Sequence, residues 1–320
     1  MAKRLAVAPP FNLEATVRVL QRRPTNLIDV WEHEHYRRTL RVGSRLVLID
    51  VENRGTIDSP ELRLSVLPPD TPSSKRTEAA QITTQILGLR QDSRPCQRRA
   101  ETAPALRSTV RALRGLRPPR YPDFFETFAN VIPFQQLSLE AGMAVTRQLI
   151  QRFGDVLLLD GRRYLVFPRA EAIAEVRTAS LKRCGLSGKK SLALRSIAKA
   201  IASGELSAGE IERLSSCEAL ERLVQLPGIG AWSAALVLLR GFGRLDVFPQ
   251  ADTGVESSLT ALMRLRSRAS LARVADRFGE CRGYLYYYGL ASRLLSARLI
   301  HPASPADDGG PPSRARRLRG

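Results

Sequence analysis

The most informative part of the sequence is the run Leu223-Val224-Gln225-Leu226-Pro227-Gly228-Ile229-Gly230-Ala231-Trp232-Ser233-Ala234-Ala235. Helix-forming residues stand on both sides of a very short connection that contains two glycines. Glycine allows positive φ and leaves backbone N–H groups uncovered, and the second helix adds unpaired N–H groups and the positive end of its dipole. The run therefore predicts a tight hairpin between two helices that binds one phosphate. The alternative is an ordinary helix–helix turn with a glycine C-cap.

The overall charge favours a polyanion as the partner of this hairpin. The chain has 320 residues, with 50 Lys and Arg against 31 Asp and Glu, which gives a net charge of +19. Nucleic acid is the commonest polyanion, although a coding bias toward arginine would produce the same excess. A hydrophobic content of 43% is ample for a packed core, and the length predicts two domains or three small ones.

Several other classes of protein are excluded by the sequence. The longest apolar run, residues 233–239, is far short of the roughly 18 residues that cross a bilayer, and the first residues lack an apolar region adequate for secretion. With only three histidines, no metal site is expected. We expect free thiols in a reducing compartment, without a disulfide framework, zinc site or iron–sulfur cluster. The reason is that no Cys-x-x-Cys pair occurs among Cys96, Cys184, Cys217 and Cys281.

The pattern of apolar residues in the first third predicts a β-sheet. Between positions 11 and 67, residues 45–52 are rich in β-formers, and Leu62, Leu64 and Val66 alternate with more polar neighbours. Helical spacing follows over residues 78–90. We therefore expect residues 1–115 to form an antiparallel sheet with one or two helices against it.

The rest of the chain predicts an all-helical body over residues 116–301, so the fold class is α+β. Helical spacing recurs in residues 124–153, 189–202 and 208–224, and again after Trp232, Asp252, Ser267 and Gly283. Residues 302–320 are rich in Pro, Gly and Asp and end in four closely spaced arginines. We expect this segment to be a disordered basic tail that contacts phosphates non-specifically.

A carboxylate follows the hairpin in the run Asp246-Val247-Phe248-Pro249-Gln250-Ala251-Asp252. Asp252 lies 22 residues after Gly230, immediately before a predicted helix. Aspartate is favoured at helix N-caps, so capping is one interpretation of this residue. A carboxylate at the start of a helix can also face a cleft, and the two interpretations are compatible.

The hairpin, its spacing to Asp252 and the surrounding residues resemble the helix–hairpin–helix superfamily of base-excision DNA glycosylases. Within it, the chain looks like the DNA-3-methyladenine glycosylase II type. The resemblance spans most of the chain and includes Phe125-Glu126, Ile132, Gln135-Gln136-Leu137-Ser138 and residues 181–190, 226–234 and 246–252. The expected N-terminal sheet is similar to the extra domain of this type.

The resemblance implies an enzyme that flips a damaged nucleotide out of the duplex and cleaves its N-glycosidic bond. Asp252 would be the catalytic carboxylate, opposing the positive charge that develops on the sugar. A cationic alkylated base is a good leaving group, and an aromatic pocket would hold it. By position, that pocket would be formed by Trp232, Tyr284, Tyr287, Tyr288 and Phe134. Tyr286 does not share the face of the other tyrosines, for which the alternative is helix packing with exposed hydroxyl groups.

The same resemblance assigns DNA contacts to Gln135, Gln136, Leu226, Gly228, Gly230 and Arg282. Gln136 matches the residue that fills the gap left by the flipped base, where a bulky apolar residue can stand, so the alternative is a surface glutamine. Two departures from the type bear on substrate range. Ala251 stands where a second acid can occur, and Leu290 stands where a pocket aromatic is expected.

The leading hypothesis is therefore a monofunctional glycosylase that excises alkylated purines and initiates base excision repair. Lyase members of the superfamily carry a Schiff-base lysine two residues after the second glycine of the hairpin, and here that residue is Trp232. An indole nitrogen cannot attack the sugar as an amine does. The alternatives are a non-catalytic DNA-binding protein of the same fold and a bifunctional glycosylase and lyase for oxidised bases.

The expected partner is double-stranded DNA that contains alkylated bases, and no membrane is involved. We expect a monomer acting on the nucleoid in bacterial cytoplasm. No cofactor is expected, apart from a structural monovalent cation that the family implies at the hairpin.

Overall fold

A computed structural model describes residues 2–303 of the chain. Its first part contains an antiparallel sheet of five strands in the order β1-β5-β4-β3-β2, and its larger part is helical. The expected α+β class is confirmed. The strands of the sheet are β1 (Lys3–Leu5), β2 (Val30–Glu32), β3 (His35–Val42), β4 (Arg45–Asn53) and β5 (Leu62–Leu67).

The central strands of the sheet form because β-branched residues fill its packed face. Val47, Ile49 and Val51 alternate along β4 and are fully buried. β3 and β4 pair up to the contact between Val42 and Arg45, and the turn between them contains Gly43 with a φ of +61°. Glycine suits that turn because it adopts the left-handed region without steric cost.

Helices α1 to α4 also belong to the first third, and α1 lies where strands were expected. Its first turn is capped by Asn12, whose side chain accepts a hydrogen bond of 2.9 Å from the Ala15 N–H. The expectation of strands was wrong here because the helical spacing of Leu13, Val17 and Leu20 outweighs their β-propensity. These helices are α1 (Leu13–Gln21), α2 (Ser73–Ile86), α3 (Arg94–Glu101) and α4 (Arg107–Ala112).

The body that follows is helical apart from one β-hairpin, which corrects the expectation of an all-helical body. In this hairpin, β6 (Val156–Leu159) pairs antiparallel with β7 (Arg162–Leu165). The Thr39 hydroxyl on β3 donates to the Leu165 carbonyl, which ties the hairpin to the sheet. The helices are α5 (Phe124–Ala129), α6 (Leu139–Phe153), α7 (Ala170–Glu175), α8 (Thr178–Lys182), α9 (Gly188–Ala202), α10 (Ala208–Arg213), α11 (Ser216–Val224), α12 (Ala231–Val237), α13 (Thr253–Leu262), α14 (Arg268–Phe278) and α15 (Arg282–Ser296).

Two clusters of buried apolar side chains hold the molecule together. The smaller lies between the sheet and α2, and the larger fills the helical body. Helix α1 contributes to both, since Leu13 and Val17 belong to the smaller cluster and Ala15 and Val19 to the larger. The N-terminal third is thus packed into the body, and the domain boundary at residues 115/116 stays a prediction.

A buried polar network also joins the sheet to the body. Arg38 on β3 is 1% exposed and donates to Asp29 at 2.6 Å and to Glu126 on α5 at 2.5 Å. The Tyr36 hydroxyl donates to Asp29 at 2.8 Å. Burial raises the pKa of Glu126 to about 8, although the charge of Arg38 acts in the opposite direction. One guanidinium therefore lies between two carboxyl groups at the interface of the two layers.

Cys96 and Cys281 form a disulfide, which corrects the expectation that the cysteines are free thiols. The two residues are 185 positions apart, but α3 and the short turn before α15 bring their Cα atoms to 5.2 Å. Spacing along the sequence carries no signal of such a distant pairing. Cys184 and Cys217 are free. The inference of a reducing compartment, which rested on cysteine usage, loses its basis.

Within residues 2–303, no helix is long and apolar enough to cross a membrane. The same residues contain no group of three or more His, Cys, Asp or Glu side chains arranged to hold a metal ion. The expected basic tail lies, from residue 304 onward, outside the described residues.

Candidate active site

The hairpin predicted from the sequence joins α11 to α12 and leaves its glycines on the surface. Ile229 is 4% exposed and anchors the turn in the larger apolar cluster, while Leu226 is half-buried. Gly228 has a φ of +75°, and a Cβ there would come within 2.7 Å of the Ala193 side chain. Gly230 is the N-cap of α12 with a φ of −95°, and a Cβ there would meet nothing within 4 Å. The surface at Gly230, where α12 begins, is thus open.

Asp252 caps the helix that follows it, which is one of the two interpretations that the sequence allowed. Its Oδ1 accepts a hydrogen bond of 3.0 Å from the Val255 N–H and caps α13. Its Oδ2 accepts one of 3.3 Å from the indole N–H of Trp232 on α12. The carboxylate is half-exposed and held in one orientation by two N–H donors. Trp232 therefore presents its N–H edge to the carboxylate, a contact that sequence reasoning did not foresee.

Glu256 supports the Asp252 loop, and Arg293 lies close to Gly254; the sequence analysis singled out neither residue. The Glu256 carboxylate reaches back along α13 and accepts a hydrogen bond of 2.7 Å from the N–H of Ala251, which has a φ of +67°. Gly254 has no Cβ, and this leaves room for the side chain of Arg293. A Cβ added at residue 254 would lie 2.6 Å from Nη1 of Arg293 and 3.6 Å from Oδ1 of Asp252. An acid one turn after an N-cap aspartate is the sequence signal that points to Glu256.

The tyrosines assigned to the base pocket lie in the core instead. Tyr284, Tyr287 and Tyr288 are at most 1% exposed. The Tyr287 hydroxyl donates to the carbonyls of Pro119 and Leu239, both at 3.3 Å, and burial raises the pKa of Tyr284 to about 12. These side chains fill the interface between α15 and neighbouring segments. Their burial therefore agrees neither with a place in the pocket wall nor with the alternative of exposed hydroxyl groups.

Tyr286, on the same helix, is also buried, at 3% exposed, and the Asp252 carboxylate is among the charges that act on its pKa. Burial raises its pKa, the Arg22 guanidinium opposes that effect, and the Asp252 carboxylate adds to it. Arg240 acts on Tyr286 in the same direction as Arg22. A helical wheel shows which tyrosines share a face but does not show which face meets the site, and the structure buries the side chains of all four tyrosines of α15.

Phe134 and Arg22 form a stacked pair. Phe134 ends a short 3-10 turn, and its ring occupies the space left by Gly142 on α6. The guanidinium carbon of Arg22, at the end of α1, lies 4.9 Å from the centre of that ring. Phe134 is half-exposed and Arg22 is 9% exposed. The N-terminal third thus contributes a cation that stacks on the Phe134 ring.

The two glutamines expected to contact DNA differ in their surroundings. The Gln135 amide donates to the Gly228 carbonyl at 2.8 Å and to the Ser233 hydroxyl at 2.9 Å, so it links the 3-10 turn to the hairpin. Gln136 is exposed, with a φ of +53°. The amine of Lys190 donates to the carbonyls of Pro133 and Gln135 and supports the same loop. An exposed glutamine on a braced loop is compatible with insertion into a duplex.

Arg282 lies at the start of α15, where its Nε donates to the Gly279 carbonyl at 3.0 Å. Its guanidinium also lies 3.5 Å from the Asp276 carboxylate. The predicted DNA contact of Arg282 stays a prediction.

Comparison with known proteins agrees with this geometry. Residues 129–280 match the family model of the HhH-GPD superfamily base excision DNA repair protein, and residues 2–123 match the AlkA N-terminal domain. The DNA-3-methyladenine glycosylase of Bacillus subtilis (strain 168) is 26% identical over 283 residues, which cover 87% of this chain and 92% of that protein. DNA-3-methyladenine glycosylase 2 of Escherichia coli (strain K12) is 26% identical over 280 residues, 86% of this chain and 92% of that protein.

A solved structure shows the same arrangement over nearly the whole chain. The 3-methyladenine DNA-glycosylase from Archaeoglobus fulgidus matches with a TM-score of 0.77 and 26% identity, over 92% of this chain and 99% of that chain. The two family models follow each other in the order of the sheet and the helical body. The family identified from the sequence is therefore confirmed: the chain belongs to the HhH-GPD superfamily of base excision DNA repair proteins and is a DNA N-glycosylase with an AlkA N-terminal domain.

Proposed function

We propose that this glycosylase removes alkylated purines such as 3-methyladenine from double-stranded DNA and leaves an intact abasic site. The observation that carries the proposal is the Asp252 carboxylate, half-exposed and oriented by the N–H groups of Val255 and Trp232. The relatives from Bacillus subtilis and Escherichia coli, which are named as DNA-3-methyladenine glycosylases, support the substrate class.

In the proposed reaction, the damaged nucleotide turns out of the duplex and its sugar comes to lie beside Asp252. The bond between C1′ and the base nitrogen breaks, and its electron pair leaves with the base. The sugar then carries oxocarbenium character, which the carboxylate opposes. A water oxygen bonds to C1′, and the proton that it loses passes to solvent water. A cationic alkylated purine departs as a neutral base, so this reaction needs little acid catalysis.

The surroundings of the hairpin favour hydrolysis over a lyase reaction. Trp232 stands where a lyase carries its amine, and its N–H donates to Asp252. Burial lowers the pKa of Lys190, but its amine donates to two carbonyls of the Gln135 loop. An amine bound in this way is not free to attack C1′.

Two measurements on the purified protein test the proposal. Incubation with methylated DNA, followed by chromatography of the released bases, is expected to yield 3-methyladenine. Borohydride added during turnover is expected to trap no protein–DNA adduct. An adduct that survives denaturing electrophoresis, and disappears in Lys190→Met, would establish the bifunctional alternative with Lys190 as nucleophile. DNA binding without release of any base would establish the non-catalytic alternative.

The hairpin belongs to the same proposal. Its exposed glycines and the N-terminal end of α12 suit one phosphate of the duplex, and the net charge of +19 supports that partner. A monovalent cation at the hairpin, a monomeric enzyme and action on the bacterial nucleoid in the cytoplasm also stay proposals.

A further inference from the structure

The disulfide between Cys96 and Cys281 joins the two layers of the molecule. Cys96 lies on α3, in the first third of the chain, and Cys281 directly precedes α15 of the helical body. The bond spans 185 residues of sequence, and a disulfide stabilises a fold more when it closes a longer loop in the unfolded chain. The state of this one bond should therefore change the stability of the whole protein.

The same layers are also held by contacts that do not involve sulfur. The Tyr284 hydroxyl on α15 donates to the Leu116 carbonyl. The Arg99 guanidinium on α3 donates to the Arg277 carbonyl at the end of α14. We therefore expect the protein to stay folded when the disulfide opens, with the two cysteines near enough to pair again.

The two cysteines differ in access to solvent and in local field. Cys96 is 6% exposed, whereas Cys281 is half-buried. Cys281 is also the N-cap of α15, a helix of 15 residues, and so lies at the positive end of its dipole. That end attracts an incoming thiolate and stabilises the thiolate of Cys281 once the bond is open. Both differences favour Cys281 as the cysteine that meets a thiol from solvent.

We propose that Cys96 and Cys281 are a thiol-exchange pair, in which Cys281 is the entry site for a low-molecular-weight thiol such as glutathione. The thermal stability of the glycosylase then follows the redox state of the thiols around it. This inference goes beyond base excision and does not depend on which bases the enzyme releases.

The bond opens in two exchange steps, each with a glutathione thiolate that has lost its proton to solvent. The first thiolate attacks Sγ of Cys281. The disulfide breaks, and its electron pair leaves with Sγ of Cys96, which takes a proton from water. The second thiolate attacks the glutathione sulfur of the mixed disulfide and releases Cys281 as a thiolate. The protein disulfide is thus reduced, and two glutathione molecules are oxidised to glutathione disulfide. The reverse sequence closes the bond, with Cys96 as the thiol that resolves the mixed disulfide.

The other two cysteines provide internal controls. Cys184 is 3% exposed, and burial raises the pKa of its thiol, so it should not exchange. Cys217 is exposed and free, with its sulfur 3.7 Å from a carboxylate oxygen of Glu221. A mixed disulfide at Cys217 should therefore persist, because no second cysteine resolves it.

The first experiment equilibrates the folded wild type with glutathione and glutathione disulfide at a series of ratios. Acid quenching, alkylation and mass spectrometry of peptides then measure the fraction of protein in which the disulfide is closed. We expect the bond to open as the share of glutathione rises and to close when the ratio is reversed. The melting temperature in the same mixtures should fall by about 5–10 °C on opening. It should not depend on the ratio in the double variant Cys96→Ala/Cys281→Ala.

Two outcomes of this experiment would overturn the proposal. A bond that stays closed in glutathione alone would be a purely structural disulfide. A bond that stays open in glutathione disulfide alone would mean that the two cysteines do not pair in solution.

The second experiment identifies the entry site with single variants in glutathione disulfide. Cys96→Ala should accumulate glutathione on Cys281, whereas Cys281→Ala should leave Cys96 unmodified, and Cys217 should be modified equally in both. Glutathione on Cys96 in Cys281→Ala would overturn the assignment of the entry site. If a variant does not fold, as judged by thermal unfolding, the wild type quenched during opening provides the same comparison, since its transient mixed disulfide should lie on Cys281.

Discussion

At the residue scale, the charge of Asp252 can be removed while its helix cap is kept. Asparagine caps helices about as well as aspartate, so Asp252→Asn should fold and bind DNA like the wild type. We expect its single-turnover release of 3-methyladenine to fall by about 10²–10³, the usual cost of losing one preorganised electrostatic partner. Asp252→Ser, which also caps helices, should lose activity to at least the same extent. If either variant released 3-methyladenine at a near wild-type rate, Asp252 would act only as a helix cap.

The hydrogen bond from Trp232 to Asp252 gives a second prediction. Trp232→Phe keeps an aromatic face but removes the N–H that holds Oδ2 at 3.3 Å. We expect a loss of about ten- to a hundredfold in single-turnover rate at saturating enzyme, since one hydrogen bond to a charged group is worth about 1.5–3 kcal/mol. Trp31→Phe on β2 is the matched control and should leave the rate unchanged. An unaltered rate in Trp232→Phe would mean that Trp232 contributes only its ring.

The same scale shows where sequence reasoning succeeds and where it fails. Asp252 was found because its spacing from the hairpin and its place before a helix are local properties of the chain. The burial of Tyr284, Tyr287 and Tyr288 was not foreseen, because helical spacing groups residues by face but does not orient the helix about its axis. Arg22 carried no signal, because nothing in its own segment shows that Phe134 packs against it.

At the scale of elements, the hairpin glycines differ in a way that the sequence does not reveal. Gly228 combines a positive φ with a close approach to Ala193, so a larger residue there disturbs the packing of α9 against the hairpin. Gly230 has an ordinary φ and open space, so it tolerates a side chain in the free protein. Of the two glycines, Gly230 is therefore the one at which a substitution can change DNA binding without disturbing the fold.

Gly230→Val should therefore weaken DNA binding without lowering the melting temperature. The added side chain covers the amides at the start of α12 and keeps a phosphate away from them. We expect affinity for damaged and undamaged duplexes to fall by a similar factor, about tenfold, because phosphate contacts carry no sequence information. Fluorescence anisotropy at fixed salt measures this loss. Gly209→Val, at another exposed glycine with open space, is the control. Equal affinities of the two variants for DNA would show that the hairpin does not contact DNA.

At the scale of the whole molecule, the features that the sequence missed are contacts between distant segments. The disulfide joins Cys96 to Cys281 over 185 residues, and the β6–β7 hairpin is attached to β3 through Thr39 and Leu165. The α+β class was predictable because the period of apolar residues changes from strand to helix along the chain. The pairing of distant side chains depends on how the two layers meet, which periodicity does not encode.

The network of Arg38, Asp29 and Glu126 lies between the sheet and the helical body, and it makes the free energy of unfolding depend on pH. The pKa of Glu126 is about 8 in the folded protein, against 4.5 as its ordinary value, because burial disfavours the carboxylate. The folded state therefore holds this proton more tightly than the unfolded chain does. The resulting stabilisation is fully present below about pH 4.5 and is lost as the pH rises through about 8.

Glu126→Gln should remove this dependence, because glutamine resembles the protonated acid and its carbonyl oxygen still accepts from Arg38. We expect the free energy of unfolding of the wild type, relative to that of the variant, to fall between pH 5 and pH 8, with a slope of at most about 1.4 kcal/mol per pH unit. Urea unfolding at a series of pH values measures both proteins. Glu140→Gln, at an exposed acid paired with Arg23, is the matched control, since the pKa of Glu140 is lowered by that partner and its linkage has the opposite sign. Parallel curves for the wild type and Glu126→Gln would show that Glu126 is ionised throughout, and that Arg38 neutralises both acids at the interface.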